Sequence, residues 1–317
     1  QSRLALDLEA AGFHRYTDSL CLVQLSSATR TFLIDPLAVD PTPLLGPILE
    51  DPEVEIVMHG ADFDLRLLHR DLGIRLRGLF DTQVAASLLG AKAIGLAALL
   101  EEHLGIRLSK AHQRADWARR PLPRELLSYA ADDTRHLLKL RDILHRELEA
   151  KGRRAWAEEE FRVMEGIEWE EDQTDPVTRV KGSRHMTPRQ IAALRAALDW
   201  RDRIAQRRDR APFRVVGDSV LAAVALERPG SVAELASLKG MSSKLVRSEG
   251  ERLLEELSRV DALPEEDLRP FPRGNRNGPG RPSPEEESWA DAIRALRARM
   301  AQELGLDRGV LLSNAQI

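Results

Sequence analysis

Residues 3–9 alternate leucines with two carboxylates. As a β-strand, this segment turns Leu4, Leu6 and Leu8 to one face and Asp7 and Glu9 to the other. A strand this apolar belongs in the middle of a sheet. The fold that accepts it must hold two neighbouring carboxylates on a covered face. Like charges that close repel unless a cation lies between them. The competing reading, an edge strand with both acids in water, requires its leucines to lie beside an open edge.

The rest of residues 1–150 fits a sheet built around this strand. Residues 20–26, 31–35 and 54–59 read as further strands, with Pro36 stopping the third of the four. A helix is expected over 61–72, closed by Gly73, with short helices over 82–89 and 95–104. One long helix is expected from 123 to 150, with proline in its first turn and Gly152 beyond its end. Meander-spaced strands followed by alternating strands and helices imply an α/β mixed sheet with flanking helices.

Residues 151–186 form a charged connector that begins with a helix. Thr187 and Gln190 make a capping box, and Ser231 and Glu234 make a second. Residues 187–264 therefore read as an all-α domain, with Asp218 capping a helix that ends before Pro229. A Pro/Gly-rich linker follows over 265–284, and residues 285–317 carry a last helix.

Composition narrows the class. With 317 residues, 43% hydrophobic and 31% charged, the chain can build about two packed domains. No apolar run approaches the ~20 residues of a membrane span, and no signal-peptide pattern is visible, so a cytoplasmic protein with no membrane partner is expected. A single cysteine, Cys21, excludes a disulfide framework and a thiolate metal cluster. Gln1 stands almost directly before the first strand, which suggests a trimmed N-terminal edge. The net charge of −4 speaks weakly against a polyanion partner.

Individual acids say more. Asp133 falls in the apolar stripe Leu126, Ala130, Leu137, Leu140, Leu144, Leu148 of the long helix. A carboxylate there costs on the order of several kcal/mol unless it is paired or metal-bound. Asp132 is turned roughly 100° away, beside Arg135, and reads as solvent-facing. Tyr129, one turn before Asp133, can bring its hydroxyl to a metal-bound water. Asp64 precedes Leu68 and Leu72 and borders the inward face, whereas Asp62 aligns with Arg66 and His69. A first-turn carboxylate serving the helix dipole fits either of these two. Asp7, Glu9, Asp64 and Asp133 are hard oxygen ligands that suit Mg²⁺ or Mn²⁺ rather than zinc. Two such cations ~3.5–4 Å apart can hold the attacking and leaving oxygens of a phosphodiester displacement.

The segments carrying these acids resemble the DEDD superfamily of 3′→5′ exonucleases, and most closely the ribonuclease D family and the related nuclear exosome exonucleases. They are Leu6-Asp7-Leu8-Glu9, Cys21-Leu22-Val23-Gln24-Leu25, Leu33-Ile34-Asp35-Pro36-Leu37, His59-Gly60-Ala61-Asp62-Phe63-Asp64-Leu65, Phe80-Asp81-Thr82-Gln83, Ala115-Asp116-Trp117 and Tyr129-Ala130-Ala131-Asp132-Asp133. Together they cover nearly all of residues 1–150. The resemblance implies a ribonuclease H-like fold. It makes Asp7, Glu9 and Asp133 ligands of a first metal, with Asp7 bridging to a second that Asp64 supports, and Tyr129 the positioner of the attacking water. The chain departs from the bacterial pattern at Leu8 and Ala10, where that pattern has threonine and an aromatic residue. Residues 187–264 resemble an HRDC domain through Trp200-Arg201-Asp202, Pro212-Phe213-Arg214-Val215-Val216 and Leu238-Lys239-Gly240-Met241, and residues 285–317 resemble the start of a truncated second one.

Nucleic-acid contacts are expected from Arg201, Arg207, Arg208 and Arg214, although interleaved aspartates also allow a salt-bridged surface. Lys110 could meet a phosphate. Trp117 could stack on a base or pack its loop against the long helix, and Gln24 could touch the terminal nucleotide or its own neighbours. The expected function is a metal-dependent 3′→5′ exoribonuclease that trims tRNA and other structured RNA, releasing nucleoside 5′-monophosphates. Its partner is RNA with a free single-stranded 3′ end, alongside other RNA-processing proteins, and a monomer is favoured. A DNA 3′→5′ exonuclease, a non-catalytic nucleic-acid adaptor and a protein-interaction scaffold are the alternatives.

Overall fold

The computed structural model describes residues 3–109, 111–272, 282–314 and 316–317. Its centre is β1 (Arg3–Ala10), the middle strand of a five-stranded sheet. β2 (Leu20–Ser26) pairs antiparallel with β1, and β3 (Thr31–Ile34) antiparallel with β2. After α1 (Thr42–Leu49), β4 (Glu55–Met58) runs parallel to the other side of β1. α2 (Asp62–Leu67) then leads to β5 (Leu79–Asp81), parallel to β4. The strand order β3-β2-β1-β4-β5 is the mixed sheet expected from the sequence, with helices packed on it. The helices that follow are α3 (Thr82–Leu89), α4 (Leu96–Leu104), α5 (Arg124–Arg135), α6 (Leu137–Ala150) and α7 (Arg154–Met164).

Apolar burial sets this arrangement. Leu6, Leu8, Val23 and Leu25 from the central strands share one core with Leu137, Leu140, Leu144 and Leu148 of α6 and Ala157 and Phe161 of α7. Each such leucine contributes about 1.5–3 kcal/mol. A smaller core gathers Leu22, Trp117, Leu126 and Ala130.

The long helix expected over 123–150 is in fact two. The chain leaves helical geometry at His136 (φ −108°, ψ −6°). The reason is that the two halves serve different cores: Leu126 and Ala130 pack in the small one, and the α6 leucines in the large one. Thr134, in the last turn of α5, is tied to the sheet through a 2.7 Å hydrogen bond between its hydroxyl and that of Ser26. The helix expected over 61–72 widens into a π-helical turn at Leu68–Leu72 before Gly73 (φ +66°) closes it. β5 and α1 carry little sequence signal, because β5 has three residues and α1 contains Pro43 and Pro47.

A second compact unit comprises residues 171–280 together with 12–18. It contains α8 (Pro188–Arg207), α9 (Pro212–Val215), α10 (Asp218–Glu227), α11 (Val232–Ser237) and α12 (Ser243–Asp261). Leu194, Trp200, Leu221 and Leu253 are among the side chains at its centre. Thr187 and Gln190 form the full reciprocal capping box. Ser231 caps α11, but Glu234 accepts from the Gly230 N–H instead, so the second box is half made. Gly217, not Asp218, caps α10. Of the linker read at 265–284, residues 273–281 lie outside the described ones, whereas 265–272 hold to the helical unit: Arg195 donates to the carbonyls of Arg269 and Pro270, and Phe271 packs on its core. α13 (Pro284–Leu304) and α14 (Arg308–Leu311) group with the sheet unit, where Arg153 donates to the carbonyls of Leu88 and Leu304.

Asp81 joins the sheet to two helix starts. It is fully buried, and its carboxylate accepts from the N–H groups of Gln83 and Val84 at the head of α3 and from Ala61 just before α2. Asp81→Ala leaves three backbone donors without their acceptor. The loss of stability should be roughly 3 kcal/mol, read as a lower urea midpoint with an unchanged slope.

Candidate active site

Strand periodicity places Asp7 and Glu9 on the same face of β1. α5 brings Tyr129 and Asp133 to them from more than a hundred residues later. One carboxylate oxygen from each of Asp7, Glu9 and Asp133 lies within 4.8 Å of the others. Asp64, in the first turn of α2, stands next to this trio and interacts electrostatically with Asp7. Three of the four acids singled out in the sequence thus bring oxygens close enough to share a cation, and the fourth, Asp64, lies near enough to feel the charge of Asp7.

Their protonation shows the strain of this grouping. Burial pushes the Asp7 carboxyl up to about 7, partly offset by the Leu8 N–H. Burial, then the charges of Asp7, Asp133 and Asp64, push Glu9 up to about 9. Asp133 is pushed up to about 8 by burial and by Asp7 and Asp132. Asp64 is raised well above the usual carboxylate range by burial, then by Asp7 and Asp81. A set of hard oxygen donors that cannot all ionise alone fits divalent metal ions, which would stabilise every carboxylate at once. His59 suits a different purpose: burial lowers its pKa, and its Nδ1 is engaged with the Thr82 hydroxyl at 2.9 Å.

Tyr129 stands against Asp133 with its ring held between two others. Trp117 lies 6.2 Å away at 33°, and the His112 ring meets it edge-on at 5.7 Å. Burial, then Asp133, Glu9 and Asp7, raise the phenol far above neutrality, so the hydroxyl keeps its proton. Asp7, Glu9, Asp133 and Tyr129 line a cleft of about 540 Å³. The first turn of α4, from Gly95 to Ala98, lines it too, together with Ser109 and Gln113.

Other expectations need correction. Trp117 is 2% exposed and packs beneath Tyr129, so it cannot stack on a base. Gln24 is fully buried in β2 and cannot reach a nucleotide at the surface. Arg201 is largely buried, and its guanidinium donates to the Val216 carbonyl and to Asp218. Arg207 and Arg208, by contrast, stay exposed at the surface even as they pair with buried Glu249, and Arg214 lies 5.3 Å over the Phe13 ring. Lys110 lies outside the described residues. Sequence reasoning missed His112, Ser109, Gln113 and the first turn of α4. Of these, only Gly95 ahead of an apolar helical run carried a local signal.

Similarity to known proteins runs along nearly the whole chain. Residues 1–149 match a family described as 3'-5' exonuclease, and residues 190–257 match the HRDC domain. Ribonuclease D of Pseudomonas paraeruginosa is 32% identical over 98% of this chain and 82% of its own length. The crystal structure of Escherichia coli RNase D, described as an exoribonuclease involved in structured RNA processing, superposes with a TM-score of 0.73. It is 32% identical and covers 99% of this chain and 83% of that one. The catalytic core of RRP6 from Trypanosoma brucei gives a TM-score of 0.73 at 31% identity, covering 83% and 75%.

The raised carboxyls set a pH dependence. In the unfolded chain they titrate near 4, whereas folded Asp7, Asp133 and Glu9 keep their protons to about 7, 8 and 9. Between these limits the folded chain binds more protons than the unfolded chain, so this cluster destabilises the fold as pH rises. In EDTA, Asp133→Asn should melt higher than the wild type at pH 8, with the gap closing below pH 5. Added Mn²⁺ should reverse the order at pH 8. A pH-independent gap would contradict the assignment.

Proposed function

The chain belongs to the ribonuclease D family, and from that footing we propose that it is a hydrolase that shortens RNA from its 3′ end using two divalent cations, Mg²⁺ or Mn²⁺. The observation that carries this reading is the meeting of Asp7, Glu9 and Asp133 oxygens within 4.8 Å, beside Tyr129 and on the wall of an open cleft. Asp7, Glu9 and Asp133 would hold one cation, and Asp7 and Asp64 the other. When bound, the cations lower the pKa of water and neutralise charge on the scissile phosphate. The protein's own part is positional. Tyr129 keeps its proton and directs a water toward the terminal phosphodiester. The water oxygen forms the new bond to phosphorus, and the bond to the 3′ oxygen of the penultimate nucleotide breaks. The attacking water gives up a proton, the leaving 3′ oxygen takes one up, and a nucleoside 5′-monophosphate leaves.

The tRNA and structured-RNA precursors expected from the sequence are the substrates we propose, and a monomer working beside other RNA-processing proteins is the form. In the helical unit, Arg207, Arg208 and Arg214 supply salt-dependent contacts to the RNA backbone.

The test uses 5′-labelled single-stranded RNA and DNA of one sequence, with Mg²⁺ or Mn²⁺ and an EDTA control. The expected result is a ladder retreating from the 3′ end, faster on RNA and abolished by EDTA. Asp133→Asn should stop cleavage while the fold is kept, and Tyr129→Phe should slow it by roughly 10²–10³-fold. Faster cleavage of DNA would move the substrate to DNA. Salt-sensitive binding without cleavage of either would make the chain an adaptor.

A further inference from the structure

Gln24 is fully buried in β2, and neither its Oε1 nor its Nε2 has a hydrogen-bond partner among the described residues. Buried carboxamides are rarely left this way, since an unmet donor and acceptor oppose folding. The sheet register explains where they aim. Gln24 stands directly opposite Asp7 in the antiparallel β1–β2 pair, so both side chains lie on the same face with β-carbons ~4.5–5.5 Å apart. Its other neighbours within the sheet offer little. On β3 the residue opposite is Leu33, and on β2 the flanking positions are Leu22 and Ser26. The Ser26 hydroxyl is already shared with Thr31 and Thr134. The polar group across the pair is therefore the Asp7 carboxylate.

We infer that Gln24 is a positioning residue of the carboxylate cluster, its Nε2 donating to the Asp7 carboxylate when that group is ionised and turned to a divalent cation. A ligating carboxylate uses one lone pair on the metal and needs donors for the rest, and an outer hydrogen bond fixes its orientation. Backbone Leu8 supplies one such donor, and Gln24 is placed to supply a side-chain one. The inference rests on reading the acids as a cation site.

Two apolar replacements of similar size, Gln24→Met and Gln24→Leu, test it by Mn²⁺ calorimetry and by melting in EDTA, with wild type and Asp7→Asn alongside. Both should bind Mn²⁺ ~10–100-fold more weakly than wild type. In EDTA they should melt no lower than wild type, because an unmet polar group has been removed. Raising Mn²⁺ should restore cleavage in the Gln24 variants but not in Asp7→Asn. Unchanged Mn²⁺ affinity in both variants would overturn the role of Gln24 while leaving the metal site standing. So would collapse of both variants in EDTA, since the amide would then serve the scaffold. Absence of Mn²⁺ binding by wild type would overturn the underlying site itself, and this inference with it.

Discussion

The crowding of four half-buried carboxylates, their ionisation opposed by loss of water and then by one another, is the constraint around which the sheet unit is organised. Asp7 and Glu9 sit on the middle strand of a sheet, with Asp64 and Asp133 brought against them, where water cannot screen them well. Nothing about folding alone favours that grouping. The apolar burial of β1 and α6 holds it in place, so hydrophobic stabilisation is opposed locally by charge. Such opposition is characteristic of sites that bind a ligand of opposite sign.

The supporting shell shows the same division of labour. Asp81 fixes the starts of two helices through backbone donors, one of them at the helix that bears Asp64. Trp117 and His112 confine the Tyr129 ring, so its hydroxyl is presented at a set angle to the acids. Glu249 gathers arginines in the helical unit, which leaves that surface less cationic than the run of basic residues suggests.

Period-two alternation on β1 was legible because the apolar residues and the acids fall on opposite faces. Asp133 was legible because it interrupts an apolar stripe, even though that stripe is divided between two helices. What could not be read is tertiary. The burial of Gln24 follows from α5 and β3 packing around β2, and the engagement of Arg201 with Asp218 joins residues on different helices. Neither contact leaves a periodic trace in the chain. β5 and α1 were lost for a simpler reason, since three residues or two prolines erase the local pattern.

The interruption at His136 has a dynamic consequence. Had α5 and α6 been one rod, loosening the segment that bears Tyr129 and Asp133 would have pulled on the leucines that hold the main core. With the break, the two segments are fastened separately, α5 to the strands and to Ser26 through Thr134, and α6 to the leucine core. Amide protons within 124–135 and within 137–150 would then exchange as two groups rather than as one. A change that loosens the segment bearing Tyr129 and Asp133 therefore need not unfasten the leucines of the main core.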